Sequence, residues 1–100
     1  MREDPAAGCA FVVPEGELDA LTVPDTRAAL DRATATGAPH VVLDLRAVTF
    51  IDSTGIRLMI EAEGASRRDG CRFAIVDGSP PVQRLLAITG LSGEFPRYQP

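Results

Sequence analysis

The tetrapeptide Asp-Ser-Thr-Gly at residues 52–55 contains the side chains in this 100-residue chain that are best suited to chemistry. It lies where a strand-like apolar run gives way to a helical pattern. A hydroxyl beside a carboxylate at such a position can be a nucleophile, a helix cap or a modification site. These three interpretations of Ser53 differ in what must lie near it, and the rest of the sequence bears on each.

The nucleophile interpretation requires a general base within hydrogen-bond reach of Ser53, and His40 is the only histidine. His40 begins the strand that leads toward Ser53, so five residues at about 3.3 Å each place it roughly 17 Å away. The surrounding residues also lack the GxSxG pattern of a nucleophile elbow. Asp19, Asp44 and Asp52 could gather at one sheet edge, but their spacing specifies neither a metal site nor an acid/base pair. We therefore predict that the protein is not an enzyme and has no catalytic residue.

The cap interpretation fits either Asp52 or Ser53, since both side chains can accept hydrogen bonds from the first turn of the following helix, worth about 1 kcal/mol. We predict that this helix runs from about Thr54 to Arg68. Its helical wheel separates two faces. The predicted core face comprises Leu58, Met59, Ala62, Ala65 and Ser66, and the opposite side, shared with Ser53, comprises Ile56, Ile60, Glu63 and Arg67. The two isoleucines are covered by a neighbouring helix or belong to a docking surface.

The composition argues against several classes of protein. The formal net charge is −4 and the chain contains no lysine, which argues against a nucleic-acid partner and removes the lysine of a phosphate-binding loop. We expect no cofactor. No apolar run approaches the roughly 18 residues of a membrane span, so we expect a cytoplasmic protein with no membrane partner. Cys9 and Cys71 lie in apolar, strand-like settings without a second pair, which favours buried free thiols over a disulfide or metal site.

The order of the predicted elements indicates an α/β fold in a single domain spanning residues 1–100, with its core at about residues 9–96. An N-terminal hairpin is expected first, and alternating strands and helices then form a mixed, largely parallel central sheet flanked by helices. The hairpin comprises Cys9–Val13, a turn at Pro14–Gly16, and a short strand at Glu17–Asp19. The later elements are a helix from Thr22 to Gly37, a strand at His40–Leu45, the helix after Asp52 closed by Gly70, a strand at Arg72–Val76, a helix from Ser79 to Gly90, and a loop or edge strand at Leu91–Tyr98.

Two short segments should fray, Pro5–Ala7 at the start and Gln99–Pro100 at the end. Within the third predicted helix, Val82, Leu85, Leu86 and Thr89 are expected to face the core. In largely parallel sheets, binding sites tend to lie where strand ends meet helix starts, and Ser53 is at such a position.

Four segments together resemble the STAS domain family. They are GELD at residues 16–19, VLDL at 42–45, FIDSTGI at 50–56 and LLAITGL at 85–91, in the family's order and spacing. The likeness extends from about Cys9 to Pro96, and within the family it is strongest to the bacterial anti-sigma factor antagonists.

The resemblance implies a phosphorylation switch. In that family the residue at the position of Ser53 is phosphorylated by a partner that is both a serine kinase and an anti-sigma factor. The unphosphorylated antagonist binds this partner and frees a sigma factor, and a phosphatase restores the binding form. The aspartate of GELD, Asp19, is expected near Ser53, and Arg57 stands where many relatives carry a small residue. We expect the partner-binding surface to comprise Asp19, Asp52, Ser53, Thr54, Gly55, Ile56, Arg57 and Ile60.

A second function class shares the same fold. A STAS domain can serve as a scaffold in a stressosome-like or other regulatory assembly that does not act on a sigma factor, with Ser53 or Thr54 as a modification site. Nucleotide binding has less support, because no loop that would cradle phosphates is visible.

Overall fold

A computed structural model describes residues 2–6 and 8–99, which form six strands and three helices. In chain order these are β1 (Arg2–Ala6), β2 (Cys9–Val13), β3 (Gly16–Leu18), α1 (Val23–Ala35), β4 (His40–Asp44), β5 (Val48–Ile51), α2 (Ser53–Asp69), β6 (Arg72–Val76) and α3 (Pro80–Ile88).

The main sheet has the strand order β1-β2-β4-β6, in which β1 is antiparallel to β2 and the other neighbours are parallel. Its strands alternate between two faces. Val12, Leu43 and Ile75 point to the face where all three helices bury their apolar side chains. On the other face Cys9, Val42 and Val76 form a smaller cluster, against which Phe11 and Tyr98 pack with their rings 5.1 Å apart. The predicted class, a single α/β domain with a largely parallel sheet flanked by helices, is confirmed.

The predicted hairpin is wrong in its partners. Strand β2 pairs with β1 on one edge and with β4 on the other, so no edge is left for β3. Instead β3 pairs in parallel with β5 in a separate two-stranded sheet, with Leu18 opposite Ile51. The hairpin is formed by β1 and β2, so the expected fraying of Pro5 and Ala6 is also wrong, since both belong to β1. Of the other three residues expected to fray, Ala7 and Pro100 lie outside the described residues, and Gln99 belongs to no strand or helix.

The structure has two strands, β4 and β5, between α1 and α2, where the sequence pattern indicated one. A turn separates them after Asp44, whose carboxylate Oδ1 accepts a hydrogen bond from the Arg46 amide at 3.0 Å. The amide of Val48 then donates to the Leu45 carbonyl at 3.0 Å. This turn shifts the chain from the main sheet to the smaller sheet, and thereby sets where α2 begins.

The remaining elements agree closely with the sequence patterns. Helix α2 ends at Gly70, whose φ of 76° is the left-handed conformation that glycine adopts at little cost. In α3, Val82 and Leu86 are buried and Leu85 is partly buried as expected, whereas Thr89 is exposed. The C-terminal segment makes one parallel bridge to β6, between Ile75 and Arg97.

Both cysteines are free thiols, Cys9 buried and Cys71 only partly buried. None of the three helices in the described part of the chain combines the length and apolar character needed to cross a membrane.

Candidate functional site

The pairing of β3 with β5 brings two aspartates to the same place. Asp19 and Asp52 directly follow Leu18 and Ile51, which are opposite each other in the small parallel sheet. The Asp52 amide also donates to the Leu18 carbonyl at 3.3 Å. Because neighbouring strands lie about 4.8 Å apart, the backbones of the two residues leave the small sheet side by side where α2 begins.

Asp52 is the N-cap of α2. Its backbone is extended, and its Oδ1 accepts hydrogen bonds from the amides of Thr54 at 2.9 Å and Gly55 at 3.2 Å. The Asp52 carbonyl accepts the amide of Ile56 at 3.0 Å. The capping role that the sequence left open between two residues therefore belongs to Asp52.

Ser53 is the first residue of α2 and is exposed. Its hydroxyl makes no hydrogen bond within residues 2–6 and 8–99, whereas Thr54, which follows it, is partly buried. Position 53 thus presents a hydroxyl that contributes nothing to the cap and that a second protein can reach.

His40 is too far from Ser53 to act as its base. It lines a cavity of about 340 Å³ together with Arg67 and Cys71, at the other end of α2. At 1.5 Å per helical residue, Arg67 lies about 21 Å along the helix from Ser53. The described residues therefore assemble no serine–histidine pair at Ser53, and they contain no group of three His, Cys, Asp or Glu side chains able to hold a metal ion.

Gly55 allows the first turn of α2 to lie against the ends of β3 and β5. A Cβ atom at this position would be 2.7 Å from both the Leu18 carbonyl oxygen and Ile51 Cγ1. Such distances are too short for any side chain, and the carbonyl belongs to the backbone. Gly55 is consequently buried, and its contribution to the site is the close approach of helix and strands.

Asp19 organises the turn that precedes α1. Its Oδ1 accepts hydrogen bonds from the amides of Leu21 at 3.0 Å and Thr22 at 3.2 Å, and from the Thr22 hydroxyl at 3.3 Å. That hydroxyl also donates to the Glu17 carbonyl at 2.8 Å, so Thr22 does not cap α1 through its side chain as its position suggested. The turn is fixed through one carboxylate oxygen of Asp19.

The two isoleucines of α2 differ in their surroundings. Ile60 is 49% exposed, but Ile56 is only 8% exposed and belongs to the main core. Of the two alternatives left open by the sequence, Ile56 is therefore covered by the protein itself, and its expected place on the partner-binding surface is wrong. On a helical wheel Ile56 lies about 60° from Met59 and Ile60 about 100° from it, so a slightly wider core face includes the first but not the second. Arg57, between them, is exposed.

Asp44 does not join the other two aspartates. It is 2% exposed, and both of its oxygens accept hydrogen bonds from Arg46, the shortest at 2.7 Å. These hydrogen bonds raise the pKa of Arg46, and the negative charge of Asp44 raises it further by a smaller amount. The role of Asp44 is to hold the turn between β4 and β5.

Two apolar residues near the site are exposed, and the sequence analysis did not identify them. Leu21, in the turn that Asp19 holds, is 89% exposed, and Phe50 in β5 is 53% exposed. For Leu21 a signal was present, because a residue two positions after an aspartate often lies in an exposed turn. For Phe50 no signal was available, because its strand alternation did not show which face lies uncovered.

Comparisons of sequence and fold with known proteins point to one family. Residues 4–99 match the STAS domain family. The chain is 34% identical over 92 residues to an anti-sigma F factor antagonist of Paenibacillus polymyxa, which covers 91% of this chain and 79% of that protein. It is 33% identical over 76 residues to an anti-sigma-B factor antagonist of Staphylococcus aureus, covering 76% of this chain and 70% of the other.

Among solved structures, an anti-sigma factor antagonist from Mycobacterium paratuberculosis superposes with a TM-score of 0.85 at 28% sequence identity. The match covers 99% of this chain and 84% of that one. The family match, the relatives and the fold all lead to the same conclusion: the chain belongs to the STAS domain family, and the relatives it resembles are anti-sigma factor antagonists.

Proposed function

We propose that this protein is an anti-sigma factor antagonist whose binding to a serine-kinase anti-sigma factor is switched off by phosphorylation of Ser53. The observation that carries the proposal is the exposed Ser53 hydroxyl, free of hydrogen bonds within the described residues, at the first position of a helix that its neighbour caps. The similarity to anti-sigma factor antagonists supports the partner class.

The chemical step is a phosphoryl transfer from ATP. The Ser53 oxygen attacks the γ-phosphorus, the bond to the β-phosphate oxygen breaks, ADP leaves, and the serine proton passes to a base of the kinase. A phosphatase reverses the modification by transferring the phosphoryl group to water. Neither reaction requires a catalytic group from this protein.

The local charges explain why a phosphate at Ser53 would act on the partner interface. A phosphoserine carries about −1.5 to −2 charges. The amides of Thr54 and Gly55, which would stabilise an anion at a helix start, already donate to Asp52. The phosphate therefore meets the charges of Asp52 and Asp19 and extends into solvent, so the fold is little affected.

The free-energy requirement of such a switch is large but attainable. Moving a partner from about 99% bound to about 1% bound needs roughly 5.5 kcal/mol of differential binding. Burying an unpaired dianion in an interface that had fitted a small hydroxyl costs several kcal/mol. Ile60 and Arg57, both exposed on α2, are the other residues of this helix that we assign to the interface.

The test begins with a screen of serine-kinase anti-sigma factors from the source organism, using ATP and phosphosite mapping by mass spectrometry. We expect one kinase to modify Ser53. Ser53→Ala should abolish the modification, whereas Thr54→Ala, the neighbouring hydroxyl, should retain it. Modification of Thr54 or of neither residue would overturn the assignment.

Titration calorimetry against that kinase then measures the switch. Unmodified protein and Ser53→Ala should bind with the same affinity, and Ser53→Asp should bind at least about tenfold more weakly, with free energies of unfolding within about 0.5 kcal/mol of each other. Equal affinity of the phosphorylated and unmodified forms would contradict the proposal. A stable multimer that binds no kinase would instead favour a STAS scaffold.

A further inference from the structure

Four large apolar side chains are exposed within the described part of the chain, and three of them belong to segments that meet at the start of α2. They are Leu21, Phe50 and Ile60, while Ile88 lies at the end of α3. Phe50 is three residues before Ser53, hence at most about 11 Å away between Cα atoms, and Ile60 lies about 10 Å along the helix.

The distance between Leu21 and Ser53 is limited by the structure, although the two are 32 residues apart in sequence. The hydrogen bond between the Asp52 amide and the Leu18 carbonyl, 3.3 Å long, fixes the two chain segments to each other. From that bond, the chain lengths to Ser53 on one side and Leu21 on the other give a maximum Cα separation of about 19 Å. The real distance is shorter, because residues 19–22 form a closed turn.

A kinase that phosphorylates Ser53 must lie over this region. A protein interface of ordinary size buries about 800 Å² on each partner, which corresponds to a patch about 32 Å across. A patch of that size centred on Ser53 extends about 16 Å in every direction, so the Phe50 and Ile60 Cα atoms are inside it. The Leu21 Cα, at less than about 19 Å from Ser53, lies inside this patch or near its border.

Leu21 differs from the other two in its exposure and in how it is held. It is 89% exposed, which leaves almost the entire side chain available for burial. Its amide donates to Asp19 Oδ1 at 3.0 Å, and the same oxygen binds the Thr22 amide and hydroxyl. The backbone at Leu21 is therefore held by a closed turn, so less backbone conformational entropy is lost on binding than in a flexible loop.

We propose that Leu21 is an apolar anchor of the kinase interface, and that Asp19 is the residue that positions it. This inference rests on the proposed function. It assigns Asp19 a role through Oδ1, which a neutral amide oxygen can also fill, in addition to any contact of the carboxylate charge with the partner.

The test is calorimetry of Leu21→Ala against the kinase identified by the phosphorylation screen. We expect binding about thirtyfold weaker, the loss typical of an interface anchor. The melting temperature should not change, since the side chain is exposed. The matched control is Ile88→Ala, which removes another strongly exposed aliphatic side chain and should bind within about twofold of the unchanged protein.

Asp19 is tested with two substitutions. Asp19→Asn keeps an oxygen that accepts the three hydrogen bonds of the turn, so it should retain most of the affinity, whereas Asp19→Ala should lose as much as Leu21→Ala. In the double variant Asp19→Ala with Leu21→Ala, the two losses should not add, because both act through the same side chain.

The results separate this inference from the proposed function. If phosphorylation of Ser53 abolishes binding but Leu21→Ala does not weaken it, the anchor is wrong while the proposed function stands. An equal loss in Ile88→Ala would overturn the specific role of Leu21. Equal losses in Asp19→Asn and Asp19→Ala would overturn the positioning role, because the carboxylate charge would then account for the effect.

Discussion

Gly55 and Gly64 lie in the same helix, but the space around them is different. A Cβ at Gly55 would be 2.7 Å from the Leu18 carbonyl oxygen, while one at Gly64 would meet only the end of the flexible Arg68 side chain, at 3.8 Å. The requirement for glycine at residue 55 is thus steric, and at residue 64 no such requirement exists.

We predict opposite signs for the two alanine substitutions. Gly55→Ala should lower the free energy of unfolding by about 1–3 kcal/mol, since helix and strand must separate to admit the methyl group. Gly64→Ala should raise it by about 0.5–1 kcal/mol, because alanine loses less backbone entropy within a helix. Urea denaturation of both variants measures this. A neutral Gly55→Ala would mean that α2 does not lie against the strand ends as described.

The sequence indicated the tetrapeptide at residues 52–55 as the candidate site, but it did not show which of its residues caps the helix. Asp52 and Ser53 are both suitable caps by residue type. Only the backbone geometry decides that the extended residue is Asp52 and the helical one Ser53. The role of Gly55 likewise depends on strands that are distant in sequence.

Helix α2, as an element, has a core face broader at its start than the helical wheel alone predicts. Ile56 belongs to the main core, and Ile60, one turn later, is half exposed. The two positions are a matched pair, since they carry the same residue type in the same helix.

We predict that this pair separates stability from binding. Ile56→Ala should lower the free energy of unfolding by about 2–4 kcal/mol, because it leaves a cavity in the core. Ile60→Ala should change it by less than about 1 kcal/mol and should weaken kinase binding instead. Thermal unfolding and calorimetry on both variants check this, and a stability loss as large in Ile60→Ala as in Ile56→Ala would contradict it.

The helices were predictable from periodicity and stop signals, since Gly70 ends α2 where the pattern indicated. Strand pairing was not. The residues of β3 suit a strand, but whether it pairs with β2 or with β5 depends on which edges other strands occupy. That is decided by the whole sheet and not by the strand.

For the molecule as a whole, one prediction concerns the dependence of stability on pH. Burial raises the pKa of the Cys71 thiol, and the charge of Asp69 adds to the shift. The folded state therefore holds the thiol proton more tightly than the unfolded state, in which the thiol has its ordinary pKa of about 8.5. The contribution of Cys71 to the free energy of unfolding is fully present below the pKa of the unfolded state, and it is lost as the pH rises through the pKa of the folded state.

We therefore expect the free energy of unfolding to fall more steeply between about pH 8 and 10 in the unchanged protein than in Cys71→Ala or Cys71→Ser. Burial also raises the pKa of Tyr98, with a further contribution from Cys9. Tyr98 is present in all three proteins, so its effect cancels from the comparison. Parallel pH profiles in urea denaturation would show that Cys71 titrates alike in both states.

The candidate site forms only when segments distant in sequence pair with each other. The turn with Asp19 and Leu21 and the helix start at Ser53 come together through β3 and β5, which are separated in sequence by α1 and β4. The family resemblance anticipated that Asp19 lies near Ser53. The pattern of residues alone did not predict this proximity, because that pattern indicated a pairing of β3 with β2.

The division of roles between Asp52 and Ser53 has a practical consequence for labelling. Because the cap bonds come from Asp52 alone and Ser53 is exposed, Ser53→Cys provides an attachment point for a fluorophore where α2 begins. The two native thiols compete poorly, since Cys9 is buried and Cys71 has a raised pKa. A dye at residue 53 would therefore report, as a change in its emission, each arrival and departure of whatever protein covers this end of the helix.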